Sequence, residues 1–540
     1  MTSLTIRTGT ALAVGAILAL AAAGPSTSLA ATPKKGGILK FVVAGEAPSW
    51  DGHRETTYAN VHPIAPFYSV LIRVNPDNPG SPTDFRCDLC TAMPKPTEGD
   101  TKYTFKLRKN VKFHDGTPLT AQDILATYEK IINPPAGVSS ARKAYYAMVE
   151  SVTAPDDHTV VFKLKYPSGA FLPALANPFN YVYSKAKLAQ DMHWYEKNVM
   201  GSGPFMFDSY EAGAVLRGKR NPNYYHKGKP HLDGFEAIFA DKLSVRQQAI
   251  QGDRAAIEFR GFPPKSRDDL VKALGKDITV QESDWNCVLL GTFNIKKKPI
   301  DDVRVRKALT LALDRWGGAP ALAKIAIVKQ VGGVAFPGHP LAATKAELQK
   351  FPGYWPDIKK SREEAKRLLK EAGVSDLTIH LNNRGVDQPY KIVGTWMIDQ
   401  WRQIGVNAVQ ETKPTGPFYD TLRKKKDFDV SLDFNCQAIV SPLSDVSKFI
   451  SDDISGSQYA GYQDRELDKL YDQMNREPDP KKQRELMRKF EQNVLGDNVY
   501  SMITLWWRRI VPHRSYVKGW KVSPSHYLNQ DLSDVWLDKK

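Results

Sequence analysis

A chain of 540 residues with 42% hydrophobic composition is too long for a single core and too apolar to be disordered, so two or three domains are expected. Its formal net charge of +16 is dispersed along the sequence. The compact runs Lys296–Lys298 and Lys424–Lys426 read as solvated faces, and dispersal together with export excludes nucleic acid as a partner.

Export is read from the N-terminus. Arg7 supplies a charge, Ala11 to Ala23 is an apolar run, Gly24 and Pro25 break it, and Ser28-Leu29-Ala30 offers a small-x-small cleavage site. The run is too short to cross a bilayer, and no cysteine near the cleavage site could take a lipid. Residues 1–30 are therefore expected to be removed and the mature protein to be periplasmic. In that compartment the four cysteines should be paired. Cys87 and Cys90 form a CxxC without two further zinc ligands nearby and without a following helix, which favours a local disulfide over a metal or redox site. Cys287 and Cys436 are left for each other.

Ile38 to Val43 reads as an opening strand after Gly36-Gly37, and Glu46 to Asp51 as the polar turn that ends it. A helical stretch is expected to end near Arg73. Tyr103 to Arg108 alternates as a half-buried strand, and Val111 to Gly116 makes a second short strand and a turn. Thr120 caps a helix through Ile132, with Asp123 placed for a capping box, and strands return at Val149–Ala154 and Thr159–Leu164. Two motif matches fail on context. Gly213 to Lys219 has a phosphate-loop spacing, but Arg220 stands where Ser or Thr should hold magnesium, and strand patterns surround it. Ser140 to Lys143 has the Ser-x-x-Lys spacing of an acyl-enzyme without its partner motifs, and reads as helix surface.

Near the middle of the chain, Cys287 to Phe293 is an apolar run short enough for a buried strand. A helix follows, capped by Asp301 or Asp302, with Val305, Ala308, Leu309, Ala312 and Leu313 on one face. Beyond it the pattern becomes regular. Ser361 and Glu364 suggest a capping box for a helix running to Gly373, and strands are expected at Leu377–Leu381, Val406–Gln410 and Phe428–Phe434. Helices lie between them at Pro389–Ile404 and Phe418–Lys425. This β-α-β-α-β series predicts a parallel sheet whose strand ends, Asn382–Asp387 and Phe434–Ala438, would face a ligand. Helices are expected at Glu466–Met474 and, capped by Asp479, Pro480–Leu495. A strand from Tyr500 to Trp507 then returns toward the first half, with strand alternation turning only one of Trp506 and Trp507 to the cleft.

Five blocks carry a family resemblance: Gly36–Leu39, Tyr103–Asp123 (YTFKLRKNVKFHDGTPLTAQD), Gly201–Tyr210, Arg217–Tyr225 (RGKRNPNYY) and Ile300–Arg315 (IDDVRVRKALTLALDR). In this order they resemble the extracellular solute-binding proteins of family 5, the oligopeptide, dipeptide and nickel binders of ABC importers. The resemblance implies an α/β, two-lobed periplasmic binding protein of type II with an additional small α+β domain. Lobe I would combine 31–50, 184–294 and 508–540, the extra domain 51–183, and lobe II 295–507. It implies a monomer without catalytic residues, cofactor or metal, closing over a small solute and docking on an ABC permease with its ATPase. It also places a disulfide at Cys287 and Cys436. Two positions depart from the oligopeptide binders: Ala438 stands where an aspartate takes the peptide amine, and Leu432 where a basic residue is found. Free peptide termini should therefore bind poorly, since a buried ammonium without its carboxylate is costly. The ligand lining expected from strand ends and family correspondence is Glu46, Trp50, Trp285, Arg384, Asp387, Arg423, Asn435, Gln437 and Ala438. Arg384 could hold a carboxylate bidentately. A secreted hydrolase is the rival reading, weakened by the absence of HExxH and Gly-x-Ser-x-Gly motifs. A sensor or chaperone-like module on the same fold would bind solute without supporting uptake.

Overall fold

Two long antiparallel strands, Ile278–Phe293 and Ser501–Arg514, run through the molecule and are shared by its two halves. The computed structural model describes residues 32–439 and 441–539, so the expected signal segment 1–30 lies outside the described residues. The first crossing strand is far longer than the run expected from Cys287 onward. Its N-terminal half, ITVQESD, alternates between inward and exposed positions, whereas everything from Trp285 on is buried. Its ladder partners, Trp507 to Arg514, lie more than two hundred residues away, so local sequence gives no sign of the pairing.

Beside the exposed half of this pair stands a four-stranded sheet in the order Ile38–Val43, Gly234–Phe239, Val215–Arg220, Phe205–Glu211. Ile257 bridges to both Phe41 and His513 and so ties that sheet to the crossing strands. The phosphate-loop spacing at Gly213 falls in the hairpin joining Phe205–Glu211 to Val215–Arg220, as its strand context suggested. On the other side, the buried half of the pair continues into Val430–Cys436, Thr378–Arg384 and Asn407–Lys413, with Val328–Gln330 at the opposite edge. Thr378–Arg384 is parallel to both its neighbours, as a β-α-β series requires. The small domain packs helix Ala121–Ile132 on the sheet Lys102–Lys106, Thr159–Leu164, Val149–Asp156. The Thr120–Asp123 capping box is formed, and Lys130 reaches the buried Asp51 carboxylate at 2.5 Å.

Several local expectations are corrected. Ile72–Val74 is a strand paired with Phe85–Cys87, because the helix of Tyr58–Ile64 and the 3-10 turn Ala65–Phe67 end before it. Val111 to Gly116 forms no strand and makes only an isolated bridge, Lys112 to Pro118. Ser361 lies inside helix Ile358–Glu371, where its hydroxyl donates to Leu311 O at 2.7 Å, and Asp357 is the N-cap. Glu364 instead pairs with Arg367. The Ser140 to Lys143 segment is no helix surface: Ser140 donates to Ile131 O at 2.7 Å, and Arg142 is buried with its guanidinium on the His53 and Glu55 carbonyls. Asp302, rather than Asp301, caps Val303–Leu311. Both cysteine pairs are disulfides, Cys87–Cys90 and Cys287–Cys436.

Candidate functional site

Where the crossing strands pass from one lobe to the other, side chains from distant segments close on each other to form a seam. Arg384, the last residue of Thr378–Arg384, is fully buried there. Its Nε donates to Thr415 Oγ1 at 3.0 Å on its own lobe, and Nη2 to Thr57 Oγ1 at 3.2 Å across the seam. The guanidinium also lies 4.6 Å from the Tyr58 ring centroid, 5.7 Å from Tyr390 and 5.8 Å from Tyr419. Burial opposes its charge, and the surrounding tyrosines more than offset this, holding the group above its ordinary value. Gly45 allows the approach: at φ +132° it brings the chain so close that a Cβ would stand 3.0 Å from Thr415 Oγ1.

Arg260, which sequence reasoning missed, completes the seam from the first lobe. Its guanidinium is 4.7 Å from the same Tyr58 ring, 5.2 Å from Trp507, and 5.8 Å from both Trp285 and Tyr390. It is 1% exposed, and none of its three nitrogens has an acceptor among the described residues. Arg384 Nη1 is likewise without one. The nearby Glu258 is committed to Arg246 at 3.0 Å, with both side chains wholly buried. Burial lowers the affinity of Arg260 for its proton. The other cation of this region, Arg509, is satisfied by the Phe259, Arg260, Ser523 and Ser525 carbonyls, and burial takes it to about 9. Arg260 and Arg384 therefore face aromatic rings at the seam, and no carboxylate bonds either of them among the described residues.

Trp285 lies at this junction, wholly buried, its Nε1 donating to His526 Nδ1 at 2.8 Å and its ring edge-on to Trp507 at 5.0 Å. Trp506 and Trp507 lie on opposite sides of their strand, as strand alternation predicts, and only Trp507 faces the seam. Trp507 packs on Trp285 while Trp506 is buried on the far side, donating to Gly333 O at 3.1 Å. Asn435 and Gln437 form a buried relay on the second lobe. Tyr145 of the small domain donates to Gln437 Oε1 at 2.9 Å, Gln437 Nε2 to Asn435 Oδ1 at 2.8 Å, and Asn435 Nδ2 to Asp445 O at 2.9 Å. Ala438 is buried beside them. Arg423 crosses the seam to the Glu55 carboxylate with contacts of 3.2 Å to both oxygens. Burial opposes its charge, but Glu55 holds it well above the ordinary value.

Three expected residues stand elsewhere. Asp387 is on the rim, a third exposed, accepting from Leu243 N and paired with Lys391 at 3.1 Å. Glu46 accepts from the Tyr210 hydroxyl and Gly213 N, and Trp50 packs on Tyr210 and Phe207. Both thus turn to the hairpin of the first sheet, although Gly45 next to Glu46 touches the seam. Leu432 is wholly buried opposite Gly291 in the ladder.

A second missed residue is Asp445, buried beside Asn435. Its Oδ2 accepts from Phe336 N at 3.4 Å, and Oδ1 has no partner among the described residues. Burial holds its carboxyl well above the usual range. Among the described residues, the sole grouping with metal-ligand geometry is Cys287, Cys436 and His526, and its two sulfurs are bonded to each other.

The buried histidines set an acid limit on the fold. Burial takes His53 and His62 down to about 3, so both are neutral in the folded protein while their unfolded values are near 6.5. Between these values the unfolded chain binds protons that the folded chain refuses. Their contribution is therefore complete above pH 6.5 and declines as pH falls toward 3. Thermal melts should show the midpoint dropping through this window, by about 1.4 kcal/mol of stability per pH unit for each histidine. His62→Gln should give a shallower slope, and an unchanged slope would contradict the assignment.

The chain was compared with known proteins. The family model for bacterial extracellular solute-binding proteins, family 5 (middle), matches residues 84–456. The dipeptide-binding protein of Escherichia coli K12 is 27% identical over 474 residues, covering 81% of this chain and 84% of that protein. The crystal structure of Haemophilus influenzae OppA in complex with RPPGFSPFR superposes with a TM-score of 0.82 at 20% identity, covering 94% of this chain and all of that one. The binding protein AgaA of A. tumefaciens R10, in complex with agropinic acid, superposes with a TM-score of 0.81 at 20% identity, over 93% and 99% of the two chains. The shared strands, the seam between the lobes and the family match over most of the sequence lead to one assignment: the chain belongs to the bacterial extracellular solute-binding proteins of family 5.

Proposed function

We propose that the protein is the periplasmic solute-binding component of an ABC importer. It closes its lobes over a small organic solute at the Arg260–Arg384 seam and delivers it to a membrane permease and its ATPase. The observation that carries this reading is Arg384: rooted in lobe II, it reaches Thr57 of the extra domain across the seam, with one guanidinium nitrogen left for a ligand. A hinge that opens and closes at such a contact is what capture and release require. In this reading lobe I is 31–50, 184–294 and 508–540, lobe II is 295–507, and 51–183 forms the extra domain. The protein acts as a monomer without catalysis. Residues 1–30 are its export signal.

The relatives' names point to peptides as the cargo, and Asp445 is the observation that favours this second reading. A peptide ammonium beside its unpartnered Oδ1 would draw the buried carboxyl into its ionised form and supply what Ala438 lacks. Against it, burial holds the free Asp445 carboxyl well above the usual carboxylate range, so ionising it in place consumes part of the binding energy. Generic di- and tripeptides such as Ala-Ala and Ala-Ala-Ala should therefore bind weakly. Calorimetry checks this: micromolar affinity across the panel, abolished by Asp445→Asn, would establish the peptide reading. Transport is tested by uptake in a deletion strain, which should fail for the cognate solute and recover on complementation.

A further inference from the structure

We infer that the solute is an organic dicarboxylate, with one carboxylate for Arg260 and one for Arg384; this deepens the reading of the seam as the solute site. The inference starts from a count of donors. A guanidinium carries five N–H donors and a carboxylate about four acceptor sites. All three nitrogens of Arg260 and Nη1 of Arg384 are buried without an acceptor among the described residues, which leaves more donor hydrogens than one carboxylate can receive. The charges argue the same way. Both guanidinium groups stand beside one ring, 4.7 and 4.6 Å from the Tyr58 centroid, and each is within 6 Å of Tyr390. Neither nearby acid bonds Arg260 or Arg384: Glu55 is held by Arg423, and Glu258 is held by Arg246 through Oε2, while its Oε1 has no donor among the described residues. Ring faces offset part of the cost of burying one cation, but two cations at the same pair of rings repel each other. A ligand with a single negative charge would leave one of these two guanidinium groups without a counter-charge. A dicarboxylate neutralises both groups, and its hydrocarbon body suits the walls of Tyr58, Tyr390, Trp285 and Trp507.

The test is calorimetry on the mature protein, stripped of bound solute by unfolding and refolding, with the dicarboxylates from succinate to suberate and the monoamide of each. The result expected is that at least one dicarboxylate binds about thirtyfold or more tighter than its monoamide. Arg260→Met should bring that ratio close to one. Because this variant replaces an unpaired buried charge with a hydrophobic side chain of similar length, its melting point without ligand should hold or rise. Equal binding of acid and monoamide, or no binding by any dicarboxylate, overturns the inference. If neutral or monoacidic solutes stabilise the protein instead, the dicarboxylate falls while the seam stands as a solute site. If no solute stabilises it and none copurifies, both fall.

Discussion

Arg384→Ala is expected to weaken binding of the native solute by two to three orders of magnitude. Truncating one partner of a buried, hydrogen-bonded charge pair costs roughly 2–5 kcal/mol, much of it from the charge left unpaired on the other side. Two further losses act in the same direction. The variant removes the bond to Thr57 that crosses the seam, and it removes the cation that Tyr58, Tyr390 and Tyr419 surround. The effect should appear in the dissociation rate, since the contact forms only once the lobes have closed. Arg384→Lys keeps a charge but loses the planar fork that bonds Thr415 and Thr57 at the same time, so it should recover only part of the affinity. Without ligand, Arg384→Ala should melt close to the parent, because a buried cation lacking a carboxylate adds little to stability. An unchanged dissociation constant would remove Arg384 from the site.

Replacing both Cys287 and Cys436 with alanine is expected to cost about 5 kcal/mol of unfolding free energy, on the chain-entropy estimate for a long closed loop. The bridge spans a sequence separation of 149 residues and joins directly opposed positions of neighbouring strands. Nothing in its surroundings replaces it, and the loss is comparable to the whole stability of a marginal domain. It bears on the site as well. Cys436 is flanked by Asn435 and Gln437, whose hydrogen bonds link lobe II to Tyr145 of the small domain, so the double variant should also bind solute more weakly. Denaturant titration with and without reductant measures the first effect, and calorimetry with the native solute the second. A midpoint that does not move on reduction, or a peptide map with either cysteine free, would contradict this role.

What could be read from the sequence follows physical range. Caps, turns and amphipathic faces depend on neighbours a few residues away, so Thr120 with Asp123, Asp302 and Asp479 were all legible as N-caps. The β-α-β series was legible because short strand patterns alternate with helices of clear period, and its central strand Val430–Cys436 is buried on both faces. The seam was half legible. Arg384 could be placed because a strand end in a parallel sheet points to a ligand, and Cys287 with Cys436 because export demands pairing. Arg260 could not, since it follows the short bridge at Ile257 in a loop with no period of its own, and its meaning comes from Tyr58, Tyr390 and Trp507 in distant segments. Asp445 gave no signal for the same reason. Strand alternation held at Trp506 and Trp507, which are buried on opposite sides of their strand, because this period is set by the backbone itself.

The central claim is that the two lobes close on an anionic solute at Arg260 and Arg384. Native mass spectrometry of protein purified without unfolding, followed by denaturing release and accurate mass determination, tests it most directly. The account predicts one small organic acid per chain, released on unfolding and lost from Arg384→Ala. A retained solute with no acidic group, or an acid held equally well by the variant, would contradict it.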